Sequence, residues 1–320
     1  MDSTIVMIYM AAVSSVIARA VDLWANISND KMTRTLENNK AVQMIKAAEK
    51  GGYGFPGVVT YNIETLIATV RAAEAKRAPV QILLFPWAIT YSDGLLVKAA
   101  AAAARSASVP IAVHLDHAQD EDIIKKAANI PDGFDSIMID MSHFDKDENL
   151  ARTAKWVQYC HARGIATEAE PGRMEGGEDG VQDTGNLEGM LTTPEEALKF
   201  VATGIDFLAP AFGNLHGFYG AVENIKLDLD RLDGIREATK GRVQLVLHGT
   251  NDFPGYIMSD CVKHGMTRCN VNDLIVYKYN KYIAENAGKV SLTSLMEEGT
   301  KLIQECVEYQ MDVMGATGKA

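Results

Sequence analysis

The stretch Val113-His114-Leu115-Asp116-His117-Ala118 places a carboxylate between two imidazoles at the end of an apolar run, which is the composition of a metal site with a base beside it. The run from Ile111 to Leu115 follows Pro110 and gives way to a polar, helix-like stretch from Gln119 to Ala128, so it predicts a buried strand. Side chains alternate across a strand, which puts His114 and Asp116 on one face and His117 where the chain turns off the sheet. Further ligands must come from elsewhere. His117, His216 and His248 each follow a different predicted strand, and three neutral imidazoles with one open position make a catalytic zinc site that polarises a substrate oxygen. A single histidine is more often a hydrogen-bonded, part-buried side chain. His143, His161 and His264 keep that reading, and His114 belongs to the site wall.

The elements that must position these groups alternate without a linker or low-complexity tract. Strand candidates run over Gly57–Tyr61, Val80–Phe85, Ile111–His117, Ser136–Asp140, Ile165–Glu170, Phe207–Gly213, Val243–Gly249 and Arg268–Asn272. Between them, helix-period segments run over Asn39–Lys50, Leu95–Ala107, Gln119–Ala128, Glu148–Arg163, Pro194–Ala202, Asp230–Lys240, Gly255–Gly265 and Leu274–Asn286, and Ile63, Leu66, Ile67 and Val70 share one helical face. Thr193-Pro194-Glu195-Glu196 is a capping box with proline at the first helical position. This alternation predicts an α/β fold, a TIM (β/α)8 barrel with an N-terminal extension and an added C-terminal helix from Ser294 to about Val313. An open doubly wound sheet is the alternative. Active sites of barrels lie at the C-terminal strand ends, and Asn62, Asp116, His117, Asp140, Glu170, Asn214, His216, His248, Asn270 and Asn272 all fall there.

A chain of 320 residues with net charge -11 lacks the clustered basic surface that nucleic acid requires, which leaves small molecules as partners. Cys160, Cys261, Cys269 and Cys306 are scattered, without a CxxC pair, as in a reduced cytoplasmic protein. The apolar run Ile5–Ala18 is too short to span a bilayer and is preceded by Asp2 rather than positive charge. Residues 1–31 are therefore read as an extension, amphipathic or disordered, before a single domain over 32–320; secretion is the minority reading.

Four ordered motifs carry a family resemblance: Val109-Pro110-Ile111-Ala112-Val113-His114-Leu115-Asp116-His117, Glu168-Ala169-Glu170-Pro171-Gly172 continuing to Gly176-Gly177-Glu178-Asp179-Gly180, Gly213-Asn214-Leu215-His216-Gly217, and Leu247-His248-Gly249. Over roughly Met44 to Gly315 the chain resembles the class II, zinc-dependent fructose-bisphosphate and tagatose-bisphosphate aldolases. The resemblance implies zinc on His117, His216 and His248, with Asp116 as acid/base at the substrate C4 hydroxyl. Glu178 would be the mobile base that moves a proton on the donor carbon. Asp140 and Glu170 correspond to an alternative metal position, or orient a ligating histidine. Asn62, Gly217, Gly249, Asn251, Asn270, Asn272 and Asp273 take substrate-binding positions. The family also implies a sugar phosphate substrate, a homodimer or homotetramer and, beside the zinc, room for a monovalent cation.

Departures from the family pattern bear on the substrate. The third histidine is followed by Gly249-Thr250-Asn251-Asp252, and the last strand ends Asn270-Val271-Asn272-Asp273, which puts carboxylates where the family's phosphate cradle has neutral groups. Pro171, Glu175 and Pro86-Trp87 also differ. Three alternatives stay open: altered donor specificity, metal-assisted hydrolysis and a noncatalytic metal-binding barrel. Asp252 and Asp273 could instead cap the helices that follow them.

Overall fold

A computed structural model describes residues 34–179, 181 and 187–320. The fold occupies Thr35–Ala320, and the expectations for residues 1–31 fall outside the described residues. Eight parallel strands, each hydrogen-bonded to the next and the last to the first, close into a barrel. They are β1 (Phe55–Val59), β2 (Val80–Leu84), β3 (Ile111–Ala118), β4 (Ser136–Ile139), β5 (Ala166–Ala169), β6 (Phe207–Leu208), β7 (Gln244–Leu247) and β8 (Met266–Val271). Every strand residue is buried, as expected where helices cover the outer face.

The helices are α1 (Lys40–Gly51), α2 (Ile63–Lys76), α3 (Pro86–Tyr91), α4 (Leu95–Ser106), α5 (Glu121–Ala128), α6 (Lys146–His161), α7 (Pro194–Ala202), α8 (Leu229–Thr239), α9 (Gly255–Lys263), α10 (Asp273–Asn286) and α11 (Leu292–Val313). Local chemistry sets several of their starts. The predicted capping box of α7 is present, with Thr193 accepting from Glu196 N while Glu196 accepts from Thr193 N. Asn39 caps α1, and its amide also donates to the carbonyls of Asp135 and Gly164, which ties that helix across the barrel floor.

Four expectations need correction. α3 was not foreseen, although Pro86 stands at its first position, where a missing N–H costs nothing. β6 ends at Leu208 instead of reaching Gly213, because Pro210 has no N–H to continue a ladder and Phe212 O accepts from Asp228 N instead. α9 is capped by Pro254, not Asp252, whose carboxylate accepts from Tyr219 N at 2.9 Å and Gly220 N at 3.1 Å. Asp273 is the first residue of α10 and Asn272 its cap, so Asp273 does not cap a helix beginning at Leu274.

The barrel interior holds a polar layer rather than aliphatic side chains alone. Arg268 on β8 is fully buried, forms an ion pair with Glu168 on β5 at 2.7 Å, and donates to Glu168 Oε1 at 3.0 Å, Gln81 on β2 at 3.0 Å and Asn270 at 2.9 Å. Gln81 in turn donates to Ser136 on β4, whose hydroxyl contacts His114 Nδ1 on β3 at 2.7 Å. This chain crosses five strands and supplies hydrogen bonds that burial alone would deny. Removing one partner of a buried ion pair strands the other charge. Arg268→Met is therefore expected to cost about 3–5 kcal/mol in urea unfolding, and Arg268→Met combined with Glu168→Gln should recover part of it.

Candidate active site

The mouth of the barrel is built by strand ends, and β3 does it in an unusual way. The β3–β4 register shifts between Leu115 and Ala118, and His117 adopts φ 50, a left-handed conformation rare for a side chain of this size. His117 therefore lies inside a bulged strand rather than at its exit. The bulge overrides alternation, so adjacent Asp116 and His117 both reach the same small pocket, together with Glu178, His216, His248, Asn270 and Asn272.

Three imidazoles converge there, with ligand atoms within 4.8 Å of one another. His117 Nδ1 meets Asp140 Oδ2 at 2.8 Å and His248 Nε2 meets Glu168 Oε1 at 2.8 Å, so each carboxylate holds a ring N–H and turns the opposite nitrogen inward. Those inward atoms, His117 Nε2 and His248 Nδ1, lie 3.1 Å apart, and His216 Nε2 is buried with no protein partner. In neutral rings these two nitrogens would face each other as lone pairs, which repel unless a proton or a metal cation lies between them. Tetrahedral zinc, with nitrogen ligands at about 2.0–2.1 Å, suits this donor set, and the buried nitrogen of His216 gains the partner it lacks.

The surrounding charge has the same sense. Burial disfavours a proton on His117, but Asp116, Asp140 and Glu170 outweigh it and raise its pKa to about 10. Burial, with His117 and His248 beside it, pushes His216 well below the usual imidazole range. Burial opposes ionisation of Asp116 and Asp140 too, yet the neighbouring histidines hold both below the usual carboxylate range. Glu170 is raised well above it by burial and by Asp140; its Oε1 accepts from Met174 N at 2.7 Å and its Oε2 has no partner. Asp116 accepts from Asn270 Nδ2 at 3.0 Å on one oxygen, and its other oxygen is buried without a hydrogen bond.

Glu178 reaches the pocket from the long glycine-rich connection after β5. Glu175 O accepts from His216 N at 2.8 Å, and a Cβ on Gly176 would lie 2.1 Å from His216 O, so only glycine allows this approach. Gly249 meets the same limit, its Cβ position lying 2.2 Å from Leu215 O at φ 69. The Glu178 carboxylate accepts from Asn272 Nδ2 and is raised by burial, partly offset by that bond. Tyr61 donates to Asn272 Oδ1 at 3.0 Å and so fixes the amide.

An outer chamber of about 590 Å³ opens above this pocket and is lined by Asn62, Gly217, Asn251, Asn272 and Asp273 among others. Asn62 spends its side-chain oxygen capping α2 and Asn251 accepts from Asp273 N, so both are partly committed to local structure. Gly249 and Asn270 line the inner pocket instead. His143, His161 and His264 are outside the cluster, and His161 and His264 pair with Asp206 and Asp233. Sequence reasoning assigned no role to Glu168, Arg268 or Tyr61. A signal was present for the first two: Glu168 with Glu170, and Arg268 with Asn270, put polar groups two apart in otherwise buried strands.

The family model for fructose-bisphosphate aldolase class-II matches residues 39–319. The chain belongs to that family. A Coccidioides immitis protein named "Putative fructose-bisphosphate aldolase" is 54% identical over 292 residues, covering 89% of this chain and 96% of that one. A crystal structure of a putative fructose-1,6-bisphosphate aldolase from Coccidioides immitis, 55% identical and covering 88% of this chain and 98% of that one, superposes with TM-score 0.87. A fructose-bisphosphate aldolase of Streptococcus pyogenes serotype M3 is 37% identical over 88% of this chain and 98% of its own. The YdjI aldolase of Escherichia coli K12 is 27% identical, covers 88% of this chain and 98% of that one, and has TM-score 0.75. Membership makes the protein an aldehyde-lyase of the class II type. No helix among the described residues is long and apolar enough to cross a membrane.

A divalent ion held by the three imidazoles should be lost when any one is removed. Zinc titration against a chromophoric chelator should show no tight site in His117→Ala, His216→Ala or His248→Ala, and about 10- to 100-fold weaker binding in Asp140→Asn. Wild-type zinc content in all three alanine variants would rule out this ligand set.

Proposed function

We propose that the protein is a zinc-dependent aldolase that reversibly cleaves a phosphorylated ketose between C3 and C4, giving a dihydroxyacetone phosphate-type donor and an aldehyde. The observation that carries this reading is the meeting of His117, His216 and His248 with two differently set carboxylates, Asp116 and Glu178, in one pocket. His117, His216 and His248 would hold zinc, which would supply the Lewis-acid chemistry that a Schiff-base lysine otherwise provides.

Asp116 takes the proton of the C4 hydroxyl as the C3–C4 bond breaks and the C4 carbonyl forms. Its ionised state suits a base, and it lines the same pocket as the three imidazoles. The electron pair stays with the donor fragment, and Glu178 delivers a proton to that carbon. A carboxyl raised by burial holds a proton at higher pH than an exposed one, which suits this step. Gly217, Gly249, Asn251, Asn270, Asn272 and Asp273 surround the donor, while Asn62 stands at the outer rim. Asp140 and Glu168 act as positioning residues for the ligating rings. We place the enzyme in the cytoplasm as a homo-oligomer. All four cysteines are free thiols, and α10 has a single fully buried residue, Ile275, which leaves much of that helix for a second copy to cover.

The two carboxylates should separate in experiment. Asp116→Asn is expected to keep zinc and lose about 10²–10⁴-fold in cleavage, while still exchanging the donor's carbon-bound proton with solvent. Glu178→Gln should lose that exchange. Equal exchange rates in wild type and Glu178→Gln would remove Glu178 from the proton-transfer step.

A further inference from the structure

Building on the aldolase reading, we propose that Tyr61 is a positioning residue for proton transfer at the donor carbon, acting through Asn272 and through the loop segment that carries Glu178. Tyr61 lies just beyond the end of β1, and its main chain is tied to the first turn of α2, where Thr65 Oγ1 accepts from Tyr61 N at 3.1 Å. Its ring meets Phe85 edge to face at 6.1 Å and Trp87 at 6.4 Å, so the side chain has a fixed direction. Burial pushes the hydroxyl above its ordinary range, which keeps it a proton donor.

The residue it donates to is in an unusual state. Asn272 occupies the N-cap position of α10, where an asparagine oxygen ordinarily accepts from an N–H of the first turn, yet its side chain makes no cap hydrogen bond. The N–H of Asp273 goes to Asn251 Oδ1 at 3.2 Å instead. Released from capping, Asn272 accepts from Tyr61 on Oδ1 at 3.0 Å and gives Nδ2 to the Glu178 carboxylate. With the amide reversed, its oxygen would face that carboxylate, acceptor against acceptor. The Tyr61 hydroxyl secures the productive orientation.

Tyr61 also touches the segment itself. The Asp179 carbonyl lies 3.3 Å from its hydroxyl as a second acceptor, and Val181 packs beside Tyr61 on the buried cluster of Val59, Leu83 and Phe85. Val181 N donates to Glu178 O at 3.1 Å, so what holds Val181 also holds Glu178. In the step concerned, the C–H bond at the donor carbon forms as the Glu178 O–H breaks; in exchange the C–H breaks, its electron pair stays with the donor and the O–H forms. Small misplacement of a reacting group costs rate steeply. Asp116 stands outside this arrangement, held on β3 and by Asn270, so carbon-carbon cleavage should not share the loss.

The test uses full-length, zinc-loaded protein and reads the two steps separately. Solvent deuterium exchange into dihydroxyacetone phosphate needs only the proton transfer. First-turnover release of aldehyde from fructose 1,6-bisphosphate, followed by rapid quench, needs only cleavage. Tyr61→Phe keeps the ring and removes the hydroxyl; exchange should fall about 10- to 100-fold, with aldehyde release within about threefold of wild type and zinc content unchanged. Asn272→Ala should move the ratio of the two rates the same way, and Tyr61→Phe added to it should cost less than in the wild-type background, because the pair acts as a unit. Equal losses in both steps would mean a general structural role and overturn the inference, as would unaltered exchange in Tyr61→Phe; either leaves the aldolase reading standing. Wild-type protein with neither exchange nor cleavage would remove that reading and this one together.

Discussion

Glu168 and Arg268 are both fully buried, and neither charge could stay inside the barrel without the other. Burial works against ionisation of Glu168, but Arg268, with His114 and His248 beside it, holds its pKa at about 2. From this pair the rest of the site is levered into place. Glu168 orients His248, while Arg268 fixes the amide of Asn270, which in turn donates to Asp116. An aliphatic layer would pack as densely but could not determine which nitrogen of His248 faces the other two rings.

Above that layer the charges are out of balance in a useful way. Asp116, Asp140 and Glu168 are ionised next to imidazoles that cannot all be protonated, since each positive ring depresses its neighbours. A divalent cation resolves the imbalance more completely than protons do, because it satisfies several lone pairs at once. The same excess of acceptors continues outward into the chamber, so the site's negative potential is a property of the whole mouth.

Placement of Glu178 depends on backbone contact rather than on packing of its own side chain. Glu175 O accepts from His216 N, Gly176 lies so close to His216 O that no Cβ fits there, and Tyr61 from the end of β1 braces the amide that holds the carboxylate. Strand ends β1, β6 and β8 thus act together on a residue that belongs to a loop, which is how a group in an irregular connection gains the precision that catalysis needs.

Much of this was legible in the sequence. Eight apolar strands alternating with helical periods specify a closed parallel barrel, and the fold's rule that sites lie at C-terminal strand ends was enough to group His117, His216 and His248. The capping box at Thr193 was readable because its chemistry is confined to four consecutive residues. What sequence could not convey was contact between distant residues. The pairing of Glu168 with Arg268 spans β5 and β8, and the apolar wall of Val59 and Phe85 forms only when β1 and β2 meet β3 at the mouth. The bulge at His117 was hidden for a related reason. Side-chain alternation is a local rule, whereas a register shift is fixed by pairing with β4, so which face His117 takes was decided by the neighbouring strand. Likewise Asp252 and Asp273 look alike in sequence, each just ahead of a helix, but tertiary contact separates them. The carboxylate of Asp252 is held by the main chain at Tyr219 and Gly220, and Asp273 lines the chamber. Sequence determined the barrel and the identity of the reactive groups, because these follow from periodicity and residue chemistry. Tertiary structure decided their tautomers, their charges and the character of the chamber, because each of those depends on what lies within a few ångströms.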